Sequence, residues 1–242
     1  MAVAAPVRAG ELKVVSSGAF TAAYLELVPE IERVTGHKLT SEFGASMGSL
    51  PDAIPSRLKR GQIIDVVIMA APALEALIEQ GKIRPESRVD LVQSVIGMAV
   101  ASGAPKPDIG TVEALKKALL AAKSIAYSGS ASGVYLSTEL FQKLGIADQM
   151  QGKARKIEGT LVAEVVAKGE AEIGFQQMSE LLPVKGVDIV GTLPAEVQRV
   201  TVFAAGIPTT SEHPAEARAI IAWLASPAAH AVIKKSGLTP IQ

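Results

Sequence analysis

The residues best placed to do chemistry in this chain are serines and glycines, not clustered ionisable groups. Three loops share that make-up: Ser16-Ser17-Gly18-Ala19, Gly44-Ala45-Ser46-Met47-Gly48-Ser49 and Tyr127-Ser128-Gly129-Ser130-Ala131-Ser132-Gly133. Each follows an apolar or β-branched run and opens a segment with helical spacing, at Phe20, near Leu50 and at Val134. The first N–H groups of a helix have no partner within it. Together with the positive end of the helix dipole and nearby hydroxyls, they hold an anion without any Lys or Arg. The candidate ligand-binding residues are therefore Ser16, Ser17, Gly18, Ser46, Met47, Ser130, Ala131, Ser132 and Gly133. Plain N-capping is the alternative, since serine is also a preferred cap. Three such loops, all after strands, favour a site, because ligands of open α/β sheets collect at the carboxyl ends of strands. Gly159-Thr160, before the Leu161 helix, is a fourth candidate. The run Gly174-Phe175-Gln176-Gln177-Met178-Ser179 is a fifth, in which Gln176 or Gln177 offers both a donor and an acceptor to a cleft.

Other chemistry is sparsely provided. His37, His213 and His230 have no metal-ligand spacing and read as surface or structural residues, and the chain has no cysteine. No metal and no cofactor is expected. Gly-x-Ser-x-Gly, the P-loop and Gly-x-Gly-x-x-Gly are absent at any strand-to-helix junction. The basic clusters Arg57, Lys59, Arg60 and Lys153, Arg155, Lys156 read as solvated faces, and Trp223 as core.

The elements that must position these loops alternate regularly. Strands are expected at Leu12–Val15, Leu39–Phe43, Asp65–Ala70, Ser94–Ala101, Ser124–Ser128, Glu172–Gln176, Val187–Val190 and Val200–Ala204. Helices are expected at Phe20–Thr35, Leu50–Lys59, Ala73–Gln80, Val112–Ala122, Val134–Leu144, Leu161–Lys168, Ala215–Ala225 and Ala228–Lys235. Gly36, Gly61, Gly81, Gly145, Gly169, Gly186 and Gly237 fall where a C-cap glycine belongs. Strand–helix alternation of this kind gives sheets flanked by helices, an α/β fold. The runs beginning at Ser94 and Val200 are alike, apolar and followed by a small-residue turn and Pro. They read as a pair of hinge strands carrying the chain to a second lobe and back. One lobe would hold residues 11–92 and 200–242, the other 93–199. Residues 1–10, small and apolar, read as a flexible N-terminus or the remnant of an export leader.

Composition narrows the partner. The 242 residues carry 24 basic and 24 acidic side chains, a formal charge of zero, with 48% hydrophobic residues. That excludes a disordered chain, and it argues against a nucleic-acid binder, which needs excess basic charge. A small ligand remains. Without a DNA-binding or membrane segment, the sensor domain of a regulator is the weakest alternative.

The ordered set of motifs resembles the type II periplasmic solute-binding proteins, most closely their molybdate-binding branch. The resemblance rests on the Ser16-Ser17 loop, Phe43-Gly44-Ala45-Ser46, Ile64–Ala70, Ser132-Gly133-Val134-Tyr135, Leu144-Gly145 and Gly169–Gly174, and covers nearly all of residues 11–242. It implies a two-lobed α/β fold, with mixed sheets, two hinge strands and an anion held between the lobes by hydroxyls and N–H groups. By position, Ser16 or Ser17 and Ser46 match the contacts of the first lobe, and Ala131 or Ser132 and Gly159-Thr160 those of the second. Where that branch carries a ligand tyrosine, this chain has Gln177. The added serines and amides suit a ligand with several carboxylates. The implied function is capture of a small anion, an oxyanion or a di- or tricarboxylate, by an exported periplasmic monomer serving the membrane subunits of an ABC importer. The same branch includes aconitate-isomerase-like enzymes, which shift a proton on an unsaturated tricarboxylate; for that alternative Glu42 and Tyr135 are the candidate acid–base residues.

Overall fold

A computed structural model describes residues 10–241. The expected leader remnant or flexible segment, save for Gly10, lies outside the described residues. Strand β1 (Glu11–Ser16) leads into helix α1 (Gly18–Thr35), whose Ala19, Phe20, Ala23, Tyr24, Leu27 and Ile31 recur at helical spacing and are all buried. The helix stops at Gly36, whose φ of 73° lets its N–H reach the Glu32 carbonyl at 2.9 Å. That backbone conformation strains any residue with a β-carbon. All seven expected cap glycines have positive φ.

Next come β2 (Lys38–Phe43), α2 (Ile54–Lys59), the fully buried β3 (Val66–Ala70), α3 (Ala71–Glu79) and β4 (Val89–Ser94). Beyond them lie β5 (Ile96–Ala101), α4 (Val112–Ala121), β6 (Ile125–Ser128) and α5 (Ala131–Tyr135). A π turn over Leu136–Leu140 joins α5 to α6 (Phe141–Lys143). The chain continues through α7 (Ala147–Met150), β7 (Ala154–Ile157), α8 (Val162–Ala167), β8 (Ile173–Gln177), α9 (Met178–Leu181) and β9 (Val187–Thr192). It ends with β10 (Thr201–Gly206), α10 (Pro214–Leu224), α11 (His230–Lys235) and β11 (Thr239–Pro240).

These strands make two mixed sheets, ordered β11-β4-β10-β3-β1-β2 and β7-β6-β8-β5-β9. The first draws on residues 11–94 and 201–240, the second on residues 96–192. Parallel pairing joins β1 to β2 and β3, and β6 to β7 and β8, so the loops after β1, β2, β6, β7 and β8 all leave carboxyl ends. One large core lies under α1, α10 and α11, with Trp223 half-buried against it; a second lies under α4, α5 and α6. The architecture is the two-lobed, helix-flanked α/β fold expected from the sequence.

Three local expectations change. The expected strand Ser94–Ala101 begins on the last residue of β4 and, past a break at Val95, is β5: Ser94 pairs with Thr201 in the first sheet and Ile96 with Gln177 in the second. Strand β4 carries Asp90, Gln93 and Ser94 and so shows no unbroken apolar run, whereas β5 is apolar throughout. The return crossing precedes β10, over Leu193–Val200. There Gln198 replaces a strand partner, accepting from the Ile96 N–H at 3.0 Å and donating to the Ile96 carbonyl at 2.9 Å. The second serine loop does not open a helix near Leu50, since α2 begins at Ile54 after Ala53. The edge strand β7 was hidden because Arg155 and Lys156 are exposed and leave no apolar period.

Candidate functional site

A cavity of about 640 Å³ separates the two sheets' loop ends. It is lined by Ser17 and Gly18 after β1, Gly44–Gly48 after β2, Ser128–Ser132 at the end of β6 and beyond it, Glu158–Leu161 after β7, and Gln176 and Gln177 at the end of β8 with Ser179 and Glu180 after it. Its volume falls in the range of small-molecule sites, about 300–1,000 Å³. That is far more space than one tetrahedral oxyanion fills.

Capping does not explain these serines. At α4, Thr111 is a working cap, accepting from the Ala114 N–H at 3.1 Å. Ser17 and Ser130 occupy the same position at α1 and α5 and make no side-chain cap bond. Ser17 Oγ is buried without a hydrogen-bond partner, and so are Ser179 Oγ and Gln177 Oε1. These three residues are only 1–2% exposed and all line the cavity. A buried polar atom left unpaired costs about 1–3 kcal/mol. Three of them line this one cavity, where their hydrogen-bonding capacity is unused by the described residues.

The other groups are held in place by bonds that still leave capacity for a ligand. Ser46 Oγ accepts from the Ala70 N–H at 2.9 Å, and its own proton has no partner among the described residues. Ser128 Oγ accepts from the Ser130 N–H at 3.0 Å and shapes the third loop. Gly133 is required there because a β-carbon would overlap the Ser128 carbonyl oxygen. Thr160 donates to Glu164 at 2.6 Å. Gln176 accepts from the Val162 N–H at 2.9 Å and donates to Glu180 Oε1 at 2.9 Å.

Ser17, Gly18, Ser46, Met47, Ser130, Ala131, Ser132, Gly159, Thr160, Gln176 and Gln177 thus sit around one cavity. Ser16 does not: it is buried behind the loop and donates to the Ser17 carbonyl at 3.2 Å. Gly133 also stands back from the lining. Glu42 and Tyr135 lie elsewhere. Glu42 turns away from the cavity and pairs with Lys13 at 2.8 Å and with Arg57, which hold its carboxyl below the usual range. Tyr135 packs into the core of the second lobe, donates to the Val197 carbonyl at 2.7 Å and carries the Arg199 guanidinium over its ring at 4.5 Å. Strand alternation and helix phase, neither visible in composition, aim both away.

The sequence reading missed Glu180. It is part-buried, with its carboxyl in the cleft, and a β-carbon at Gly18 would overlap its Oε1. Desolvation raises its pKa to about 7, while bonds from the Gln176 amide and the Gln177 N–H act the other way. The amino end of α1 beside it also favours the charged form. Ser128, Asp52, Glu158 and Glu164 line the cavity as well, and among the described residues no Lys, Arg or His does. Glu158 pairs with Lys156 at 2.9 Å. The available signal was position: Ser179 and Glu180 follow the β8 carboxyl end as the serine loops follow theirs.

The comparisons with known proteins agree with this geometry. Residues 12–239 match the family described as bacterial extracellular solute-binding protein. The chain is 47% identical over 230 residues to an aconitate isomerase from a Pseudomonas species, covering 95% of this chain and 88% of that protein. It is 27% identical over 245 residues to the molybdate-binding protein ModA of Azotobacter vinelandii, covering 97% and 92%. Among solved structures, the periplasmic molybdate-binding protein of Azotobacter vinelandii is similar with a TM-score of 0.77 at 24% identity, over 96% of this chain and 100% of that one. The sulfate-binding protein SubI of Mycobacterium tuberculosis gives a TM-score of 0.74 at 15% identity, over 96% and 88%. With its two sheets, its cleft and 228 matched positions (12 through 239), the chain belongs to the bacterial extracellular solute-binding protein family.

Proposed function

We propose that the cleft binds a small unsaturated polycarboxylate and shifts a proton along it, as an isomerase of the aconitate type. The observation that carries this reading is a carboxyl group, Glu180, placed among three unpaired buried polar atoms in a cavity to which the described residues bring no cation. Hydroxyls and N–H groups are sufficient to capture an anion. A carboxylate beside them opposes capture when ionised, and has a use when the ligand must exchange a proton. The 47% identical relative, named as an aconitate isomerase, supports the same reading.

Capture without chemistry, for the membrane subunits of an ABC importer, is the second reading. It is favoured by the cation-free, hydroxyl-lined cleft and by the ModA likeness. Under either reading the protein acts as an exported, periplasmic monomer, a placement that family membership supports. The deciding experiment has two parts. Melting is followed with molybdate, sulfate, phosphate, citrate and the two aconitates, and interconversion of cis- and trans-aconitate is followed by proton NMR. A ligand at 100 times its Kd adds about 2.7 kcal/mol, a rise of roughly 5–11 °C for a chain of this size. Turnover of aconitate supports the isomerase; a shift with no turnover supports simple capture; no shift with any of them removes both.

A further inference from the structure

We infer that Glu180 is the catalytic residue that carries the proton, with Gly18 as the gap that admits its carboxyl to the cleft. The inference rests on the isomerase reading and adds to it the atom that does the work. Three features of the structure converge on this side chain. It stands at the mouth of a strand, on a four-residue helix that places it opposite the amino end of α1. One carboxyl oxygen, Oε1, is fixed by the Gln176 amide at 2.9 Å, and Gln176 is itself fixed by the Val162 N–H at 2.9 Å, so the group is oriented through two successive hydrogen bonds. And the residue beside it, Ser179, together with Ser17 and Gln177, supplies the unpaired polar atoms that would face the ligand. The remaining cleft carboxylates are otherwise engaged or lie on other loops: Glu164 accepts from Thr160 and Glu158 pairs with Lys156, while Asp52 belongs to the loop after β2.

The step balances within the ligand. The Glu180 carboxylate takes a proton from the methylene carbon next to the double bond: that C–H bond breaks and an O–H bond forms. The electron pair becomes the new double bond, and the old one delivers its electrons toward the far carbon. The same O–H then returns its proton to that carbon, leaving Glu180 as it began and the double bond displaced by one position. The transient negative charge spreads onto a ligand carboxylate, where the Ser17 and Ser179 hydroxyls and the first N–H groups of α1 can donate to it. A group that accepts and returns one proton works best when it titrates near the working pH, which burial provides here.

The test compares the wild-type chain, E180Q and E180D with trans-aconitate as the probe, reading kcat, KM, the pH profile of kcat/KM and the ligand-induced melting shift. The expected result is a loss of about 10²–10⁴-fold in kcat for E180Q, with the trans-aconitate melting shift retained. E180D should keep part of the turnover, and the wild-type profile should show an ascending limb near neutral pH that E180Q lacks. Turnover by E180Q within tenfold of wild type overturns the assignment and leaves the isomerase reading standing. A wild-type chain that binds trans-aconitate without converting it overturns both. Should E180Q fail to melt cooperatively, E180D and the wild-type profile decide: unchanged kcat in E180D together with no limb near neutral pH overturns the assignment.

Discussion

Ser17→Ala separates a ligand site from a helix cap by the sign of a stability change. Ser17 stands at the N-cap of α1 in extended backbone (φ −81°, ψ 161°), which alanine adopts as readily. Its hydroxyl caps nothing, is 2% exposed and has no partner. Were it a working cap, its removal would destabilise the protein by about 0.5–2 kcal/mol, lowering Tm by roughly 1–8 °C at 2–4 °C per kcal/mol. As an unpaired buried hydroxyl it already costs about 1–3 kcal/mol, so its removal should leave the ligand-free Tm unchanged or raise it. The ligand-bound state changes in the opposite direction. A hydroxyl donating to a charged ligand contributes about 1.5–3 kcal/mol, so affinity for the cleft ligand should fall roughly 12- to 160-fold.

The assay is differential scanning fluorimetry of both proteins without ligand, followed by titration calorimetry with whichever anion shifts the wild type. The informative quantity is the pair of signs: Tm level or up, affinity down. A fall of several degrees in ligand-free Tm, with affinity unchanged, would refute the argument that the orphaned hydroxyl belongs to a ligand.

Four further outcomes follow from the same geometry. Gly18→Ala places a β-carbon on Glu180 Oε1; it should cut turnover at least tenfold while the melt stays cooperative, and normal kcat would show that the carboxyl need not sit there. Gly133→Ala drives a β-carbon into the Ser128 carbonyl; urea unfolding should report a loss of about 2–4 kcal/mol, in the range of overpacked or strained sites, and a loss under 1 kcal/mol counts against the packing described. Glu42→Gln removes the ion pairs from β2 to Lys13 and Arg57, and Tyr135→Phe a hydroxyl to Val197; these should cost about 1 kcal/mol per ion pair or less and about 1–2 kcal/mol respectively, with kcat and Kd unaltered by either, and a tenfold change in kcat would return that residue to the site. Stability should also fall with rising pH through Glu180. Its folded pKa of about 7 lies above the unfolded value near 4.3, so the folded state binds the proton more tightly. The stabilisation is complete below about pH 4 and is lost as pH rises through about 7, on the order of 3 kcal/mol; urea titrations at pH 5 and pH 8 should converge for E180Q relative to wild type, and parallel curves for the two proteins would contradict the raised pKa.

Much of the fold was legible because its signals are local. The β-branched run Val66–Ala70 and the helical spacing of Phe20, Tyr24, Leu27 and Ile31 depend only on near neighbours, as does a glycine such as Gly36 at a helix end. Val95 was not legible. Val89–Ser94, with Asp90 and Gln93 in it, lacks the unbroken apolar run that marks Ile96–Ala101 as a strand, and only the partners, Thr201 for Ser94 and Gln177 for Ile96, reveal the change of sheet.

The site divides in the same way. Sequence alone determined that serine- and glycine-rich loops follow the strands, which is enough to place Ser17, Ser46, Ser130 and Thr160 around the cleft, because loop position after a strand is a property of chain order. Tertiary structure decided which hydroxyls are left unpaired, that Ser16 and Tyr135 are used internally, and that Glu180 comes from a short helix some 160 positions downstream to rest against Gly18. A side chain's hydrogen-bond partner and its dielectric surroundings are set by groups distant in sequence. No local pattern carries them, and so the place of Glu180 in the cleft becomes visible only once the two sheets have brought their loop ends together.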